Sequence, residues 1–441
     1  MISISKASGR VILLVLYSTL LTACASQQLM TGQKQMGASF QSGNYQQAAS
    51  IADSLKQNDV YKAKDRVLYS LEMGTIQFFQ NNYKKSIEEF TNAEEYIDQF
   101  FAKSASTGIK AFLTNDTQLN YDGEVYEDVY LNGFKSLAYL EMDDYLAAFV
   151  EARRIAQKLD QAESKYAGYA NSMQESDTTD HEIEWNAGTS SIHDSPLSHY
   201  LASMLYAKSG APDDARIELE NLQSAIERHQ ALPNSQVEFV PAFKKVQNPD
   251  NFNVLLTAFC GKAPEKRSNN IKIEDINDSP GLKIAIPKLV MRPSKVARVE
   301  ATIDEEKSVS MFIIEEMDKV AQETFQIKKP IIVARATLRG ILKSAGEEAI
   351  TDAAEDQDED LGKVVGFLAE NIREASEQAD LRGWQTMPGK VYTNVIKLPP
   401  GEHEITFEYY SAEGQVIHSE KIPITITENE RLEPLSSIYS N

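Results

Sequence analysis

Cysteine is scarce, with Cys24 and Cys260 the only two in 441 residues, and histidine is limited to six. That excludes a disulfide-stapled scaffold and leaves little for a thiolate or imidazole metal site. Positive charge is in deficit, 44 Lys and Arg against 65 Asp and Glu, for a formal net charge of −21. No basic stripe interrupts it, so a protein that grips DNA or RNA through its phosphates is excluded. Long apolar runs are missing apart from Val11 to Leu21, which is too short and too one-sided to be a stable membrane span. Catalytic signatures are missing too: no His-Glu-x-x-His helix, no Gly-x-Ser-x-Gly elbow, no Gly-x4-Gly-Lys-Ser/Thr loop. What is present is globular composition, 42% apolar and 25% charged, in a length that suits two to four domains.

The N-terminus bears on the compartment. Lys6 and Arg10 precede the apolar run, which ends in Leu21-Thr22-Ala23-Cys24: a branched apolar residue, two small ones, then Cys. This resembles the lipobox of bacterial lipoproteins; an ordinary signal peptide with a chance Cys is the alternative. The resemblance implies that residues 1–23 are a signal peptide, that Cys24 is the lipid attachment site, carrying palmitate-type acyl chains, and that residues 24–31 form an acylated tether. Ala25 stands where inner-membrane retention would favour Asp, so the resemblance points to the periplasmic face of the outer membrane. Cleavage would remove Lys6 and Arg10 and take the net charge from −21 to −23. Cys260 would then lack an intrachain partner, leaving packing to hold the fold.

Residues 32–232 carry helical periodicity in four similar stretches, around Phe40, Met73, Tyr139 and Tyr206. Each predicts a helix, a tight turn and a second helix. After the turn, Tyr45, Tyr83, Tyr145 or Pro212 precedes a small residue three places on: Ala48, Ser86, Ala148 and Ala215. Small residues there let two helices approach closely, and Phe90, Ala152 and Leu219 continue the same face. This is the tetratricopeptide pattern, here degenerate because the turn residues do not step by a regular interval. An irregular helical bundle is the alternative. Residues 172–195 are polar and aperiodic and predict a flexible loop bearing Trp185, either an exposed docking anchor or a ring tucked onto the helices.

From about residue 245 to 441 the pattern changes to short β-rich runs, at 252–259, 282–286, 296–303, 309–314, 391–398, 404–410 and 421–427. Ile405, Phe407 and Tyr409 alternate ahead of Glu413-Gly414, which predicts a hairpin with one apolar face. A helical insertion over about 331–378, broken by the acidic run Asp352 to Asp360, is simplest as a helical hairpin. The expected fold is therefore α+β: tetratricopeptide-like all-α repeats, then a β-sandwich-like domain carrying that hairpin.

Candidate chemistry is thin. Asp356, Asp358 and Asp360 open with calcium-loop spacing, but Leu361 and Phe367 stand where Gly and a bidentate Glu belong, so a solvated loop fits better. Cys260 is most simply a small buried residue. His199 in a helix, and Asp213 and Asp214 at a helix start, are ordinary placements. Trp384, beside Arg382 and Gly383, is either a carbohydrate-facing platform or the anchor that closes the sheet against the helical hairpin. No catalytic residue, metal site or cofactor is expected.

The phrases GKAPEKR (261–267), KKPIIVARATLR (328–339), ADLRGWQTMPGKVY (379–392) and LPPGEHEITFE (398–408), with the lipobox and the helical half, resemble a poorly characterised family of large Gram-negative outer-membrane lipoproteins. That resemblance implies an envelope accessory role. It also implies neighbouring small lipoproteins, resembling the curli-secretion channel subunit or penicillin-binding-protein activators, as possible partners. The expected function is a lipid-anchored periplasmic scaffold that binds other envelope proteins on an acidic concave helical surface. The alternative is a binder of peptidoglycan or an exported polysaccharide through exposed Tyr121, Tyr126, Tyr130 and Trp185; an envelope hydrolase comes third.

Overall fold

A computed structural model describes residues 27–107, 116–177, 183–273, 282–355, 378–428 and 431–440. Cys24 and the acidic run after Glu355 lie outside the described residues. Four antiparallel helical hairpins come first: α1 (27–41) with α2 (Tyr45–Gln57), and α3 (Arg66–Phe79) with α4 (Tyr83–Thr107). Then come α5 (Val125–Glu141) with α6 (Tyr145–Ser176), and α7 (Pro196–Lys208) with α8 (Pro212–Gln230).

The hairpins share one local chemistry. Gly43, Asn81, Asp143 and Gly210 adopt φ of 75°, 60°, 62° and 78°, each two residues before the second helix. Left-handed residues there end the first helix and reverse the chain, which is why Gly, Asn and Asp occupy them. Asn44 and Asp144 accept from the backbone N–H of Gln47 and Ala147, capping α2 and α6. Ala48, Ser86, Ala148 and Ala215 are fully buried where paired helices touch. Three pairs are tied alike: Ser86 Oγ donates to the Gly74 carbonyl at 2.8 Å, Ser136 to Ala148 at 2.8 Å and Ser203 to Ala215 at 2.7 Å.

The second half forms one seven-stranded sheet rather than the sandwich that the strand pattern predicts. Its strands are β1 (Val254–Cys260), β4 (Arg298–Ile303), β5 (Lys307–Glu315), β6 (Lys390–Ile396), β7 (Gly401–Tyr410), β8 (Val416–Ile426) and β9 (Glu433–Tyr439). Their order is β8-β7-β4-β5-β6-β1-β9, antiparallel except for parallel β1 and β9. The sheet curls nearly closed: His418 of β8 stacks on Tyr439 of β9 at 4.6 Å, and Ser437 Oγ donates to Glu420. Curling supplies a second inner surface without a second sheet. A separate hairpin, β2 (Glu265–Ile273) and β3 (Leu282–Val290), lies against helix α9 (Met317–Glu355).

Two cores meet in β1, which is buried along its length. Val254, Leu256, Ala258 and Cys260 point into the curled sheet with Ile405, Phe407 and Tyr409. Leu255 and Phe259, on the other face, join the helical core. Phe259 stacks on Phe134 of α5 at 5.2 Å and meets Phe79 of α3 edge-on at 5.9 Å. A strand covered on both faces reads as a nearly continuous apolar run, as residues 254–260 do with Thr257 the one polar member. The first helices of the hairpins are sandwiched in the same way, and nearly every residue of α3, α5 and α7 is buried.

Candidate functional site

A partner peptide is expected on one face of the helical hairpins, and here the chain's own second half packs on α3 and α5. The segment 378–389 runs extended across α3 and α5 before entering β6. Glu127 of α5 accepts the Trp384 N–H at 2.7 Å, and Glu72 of α3 accepts those of Gln385 at 2.7 Å and Thr386 at 3.0 Å. Burial pushes Glu72 up to about 7 against these bonds, and raises Glu127 as well. Trp384 packs against the stacked rings of Phe90 and Phe134, ring centres 5.6 and 5.8 Å away, and its indole N–H donates to Thr75 Oγ1 at 2.9 Å. Further along, Glu315 at the end of β5 accepts from Tyr130 Oη at 2.8 Å, Ser195 Oγ at 2.8 Å and the Leu197 N–H at 2.9 Å.

These contacts relocate every aromatic residue expected at an exposed binding surface. Tyr121, Tyr126, Tyr130, Trp185 and Trp384 are 2%, 2%, 0%, 5% and 2% exposed, so none presents a ring to a glycan or partner. The structure brings Tyr121, Tyr126 and Trp384 together around Glu127, with Tyr121 Oη donating to that carboxylate at 2.6 Å. Tyr130 lies apart on Glu315, and Trp185 is tucked back by its indole N–H onto Asp177 at 2.9 Å. Trp384 takes the anchoring role, though it closes against α3 to α5 and not against the helical insertion.

Charge concentrates at the same seam. Arg382 reaches Asp65 at 2.9 Å and Asp380 at 2.7 Å; burial opposes its charge, but Asp380 and Asp65 together outweigh burial, and Asp380 is itself held at about 2. Lys266 of β2 pairs with Glu124, and Lys328 of α9 donates to Asp122 at 3.2 Å and to the Gly123 carbonyl at 2.6 Å. The 379–392 phrase, the β2 phrase and the 328–339 phrase therefore all meet α5 and the residues just before it. Glu72, Glu127 and Glu315 were not singled out by sequence reasoning. The available signal was a carboxylate inside an otherwise apolar helical run, as in RVLYSLEMGTIQFF.

Several depressions open among the described residues, one at this seam and another away from it. One, of about 350 Å³, is walled by α1, residues 60–65, β2 and residues 378–382. The other, of about 380 Å³, lies on the outside between α6 and α8. Its His199 bonds Glu218 at 2.6 Å through Nδ1 and Asp194 at 2.7 Å through Nε2. Burial alone would lower the His199 pKa, but the two carboxylates outweigh it and raise it to about 9, so both ring nitrogens donate at neutral pH. Cys260 is buried, which pushes its thiol up to about 12. Among the described residues no His, Cys, Asp or Glu cluster is arranged to hold a metal ion, and no helix is long and apolar enough to cross a membrane. Comparison with protein-family models, with curated proteins and with solved structures returns no match.

Proposed function

We propose that this chain is a lipid-anchored periplasmic scaffold of the bacterial outer membrane, tethered through Cys24 and binding other envelope proteins on the outer face of degenerate tetratricopeptide-like hairpins. Support for the repeat assignment comes from four hairpins that share a left-handed turn residue, a small contact residue and, in three, the same hydroxyl tie. The observation that carries the partner surface is an apolar strip left uncovered on the α5–α6 hairpin. Leu146 is 76% exposed and Val150, one turn on, 44%, with Met142 in the preceding turn at 46%. Spacings of four, three and four continue that face of α6 to Arg153 and Gln157 at the outer depression. An apolar strip running into polar side chains suits a partner of mixed character. The inner face is closed by the chain's own strap, so the concave groove expected from the sequence gives way to the outer face.

The test replaces Leu146 by a photo-crosslinking residue in the full chain, in its native envelope. A discrete crosslinked product from the anchored protein, absent from the Cys24→Ala form and from a probe placed at exposed Lys421, is the expected result. No product at position 146, or the same product at both positions, refutes the surface. Mass spectrometry of the product identifies whether the captured species is a small lipoprotein of the kind the family resemblance implies.

A further inference from the structure

The cleft of about 350 Å³ beside α1 is the second recognition feature, and nothing above uses it. Its volume falls within the roughly 300–1,000 Å³ of small-molecule sites. One wall is apolar, formed by Leu29, Met30, Val60 and Leu381. Met30 remains 49% exposed although it sits on a helix whose Leu29, Met36 and Phe40 are buried. Another wall is cationic: the lining holds Lys62, Lys64 and Arg382 against Asp65 and Asp380, a local excess of positive charge in a chain of net charge −21. Arg382 already binds both carboxylates. Lys64 donates to the Thr117 carbonyl at 2.5 Å, and Lys62 is exposed.

Charge placement points to an anionic ligand. Between Cys24 and Asp53 the sequence has no acidic residue and a single Lys, Lys34, although Asp and Glu number 65 in the chain. The carboxylates that do line the cleft, Asp65 and Asp380, are both bound by Arg382, which leaves Lys62 and Lys64 as its other cations. Leu29 lies five positions after Cys24, so a lipid-bearing Cys24 can be no more than roughly 17 Å from this wall.

We propose that this cleft binds an anionic glycerophospholipid of the membrane surface, with one acyl chain against Leu29, Met30, Val60 and Leu381 and the phosphate at Lys62 and Lys64. The proposal rests on the membrane-anchored reading for its choice of ligand. Its consequence is a second, oriented contact with the bilayer, which fixes which face of the helical half is turned toward the periplasm. A single lipid anchor leaves that orientation free.

The experiment uses residues 24–441 with Cys24→Ser, so that no covalent lipid contributes, and measures flotation with vesicles. Vesicles containing phosphatidylglycerol should carry the protein, and pure phosphatidylcholine vesicles should carry it at least about tenfold less, since each of the two Lys near an anionic surface adds about a fivefold factor. Lys62→Glu and Met30→Asp, both at exposed positions and checked for unchanged circular dichroism, should each lower the bound fraction at least about fivefold. Inorganic phosphate should not compete. Absence of flotation, equal flotation of the variants, or full competition by phosphate each overturns the proposal. The mass of the full chain from its native envelope reports acylation of Cys24 separately. Failure of the anchor and failure of the cleft are therefore distinguishable.

Discussion

Replacing Trp384 by Ala tests whether the two halves are one thermodynamic unit. The indole is 2% exposed, packs on Phe90 and Phe134, and donates to Thr75. Aromatic-to-Ala changes in cores cost about 3–5 kcal/mol through lost transfer energy and the residual cavity. Each aromatic contact contributes about 0.5–1.5 kcal/mol within that total. Trp384→Phe keeps a ring in the pocket and removes the donor, so it should cost less, about 1–2 kcal/mol. With a urea slope on the order of 4 kcal/mol/M for a chain of this size, the Ala variant should lower the midpoint by about 1 M. Far-ultraviolet circular dichroism follows the helices, and fluorescence of Trp185 follows a site remote from the strap. Both should shift together in one transition. A helical transition that stays in place while another signal moves, or a loss below about 1 kcal/mol, would refute the shared core.

Three further outcomes follow from particular contacts. His199 has its pKa raised to about 9 from an ordinary value near 6.5, so its contribution is fully present below pH 6.5 and is lost as pH rises through 9. The shift corresponds to about 3 kcal/mol, and thermal melts from pH 6 to 9.5 should show a decline that His199→Gln flattens. Glu72 is pushed up to about 7, so the folded state binds its proton more tightly and stability contributed at this site falls as pH rises from about 4.5 to 7. Glu72→Gln should remove that slope; an unchanged pH profile would count against the assignment. Gly188→Ala places a Cβ 2.1 Å from the Gln326 carbonyl oxygen and breaks the Gly188 N–H bond to the Ile327 carbonyl. A loss of about 1–3 kcal/mol in chemical denaturation is expected, and a neutral result would mean that the 183–195 segment does not pack on α9.

Local chemistry made much of the helical half legible. The turn residues before Tyr45, Tyr83, Tyr145 and Pro212 and the small residues three places on lie where their spacing predicts, because hairpin geometry is a short-range property. The β7–β8 hairpin was legible for the same reason: Gly414 takes φ of 80° and Ile405, Phe407 and Tyr409 share the buried face. What failed was whatever depends on partners distant in sequence. β2, EKRSNNIKI, is too polar to announce a strand and is specified by its pairing with β3. β9 has Pro434 and two serines and is held by β1. The first turns of α9, from Met317, precede Pro330, after which the sequence pattern predicts a new element. Exposure of Tyr126 and Tyr130 was misjudged because a helix covered on both sides leaves no polar stripe, and the Tyr130 hydroxyl is satisfied by Glu315, a carboxylate that only the fold brings near.

The parallel pairing of β9 with β1 also constrains when the molecule can become itself. Residues 254–260 wait for 433–439, and Glu72 waits for a strap 313 positions later. Such separations make these closures slow and entropically expensive, and defer them until the later segment has been synthesised. Until the last strand arrives, the array has an open groove and β1 an unpaired edge. Those are the surfaces that aggregate or are bound by holding chaperones. A chain built this way stays unfinished, and so threadable, until β9 has been made.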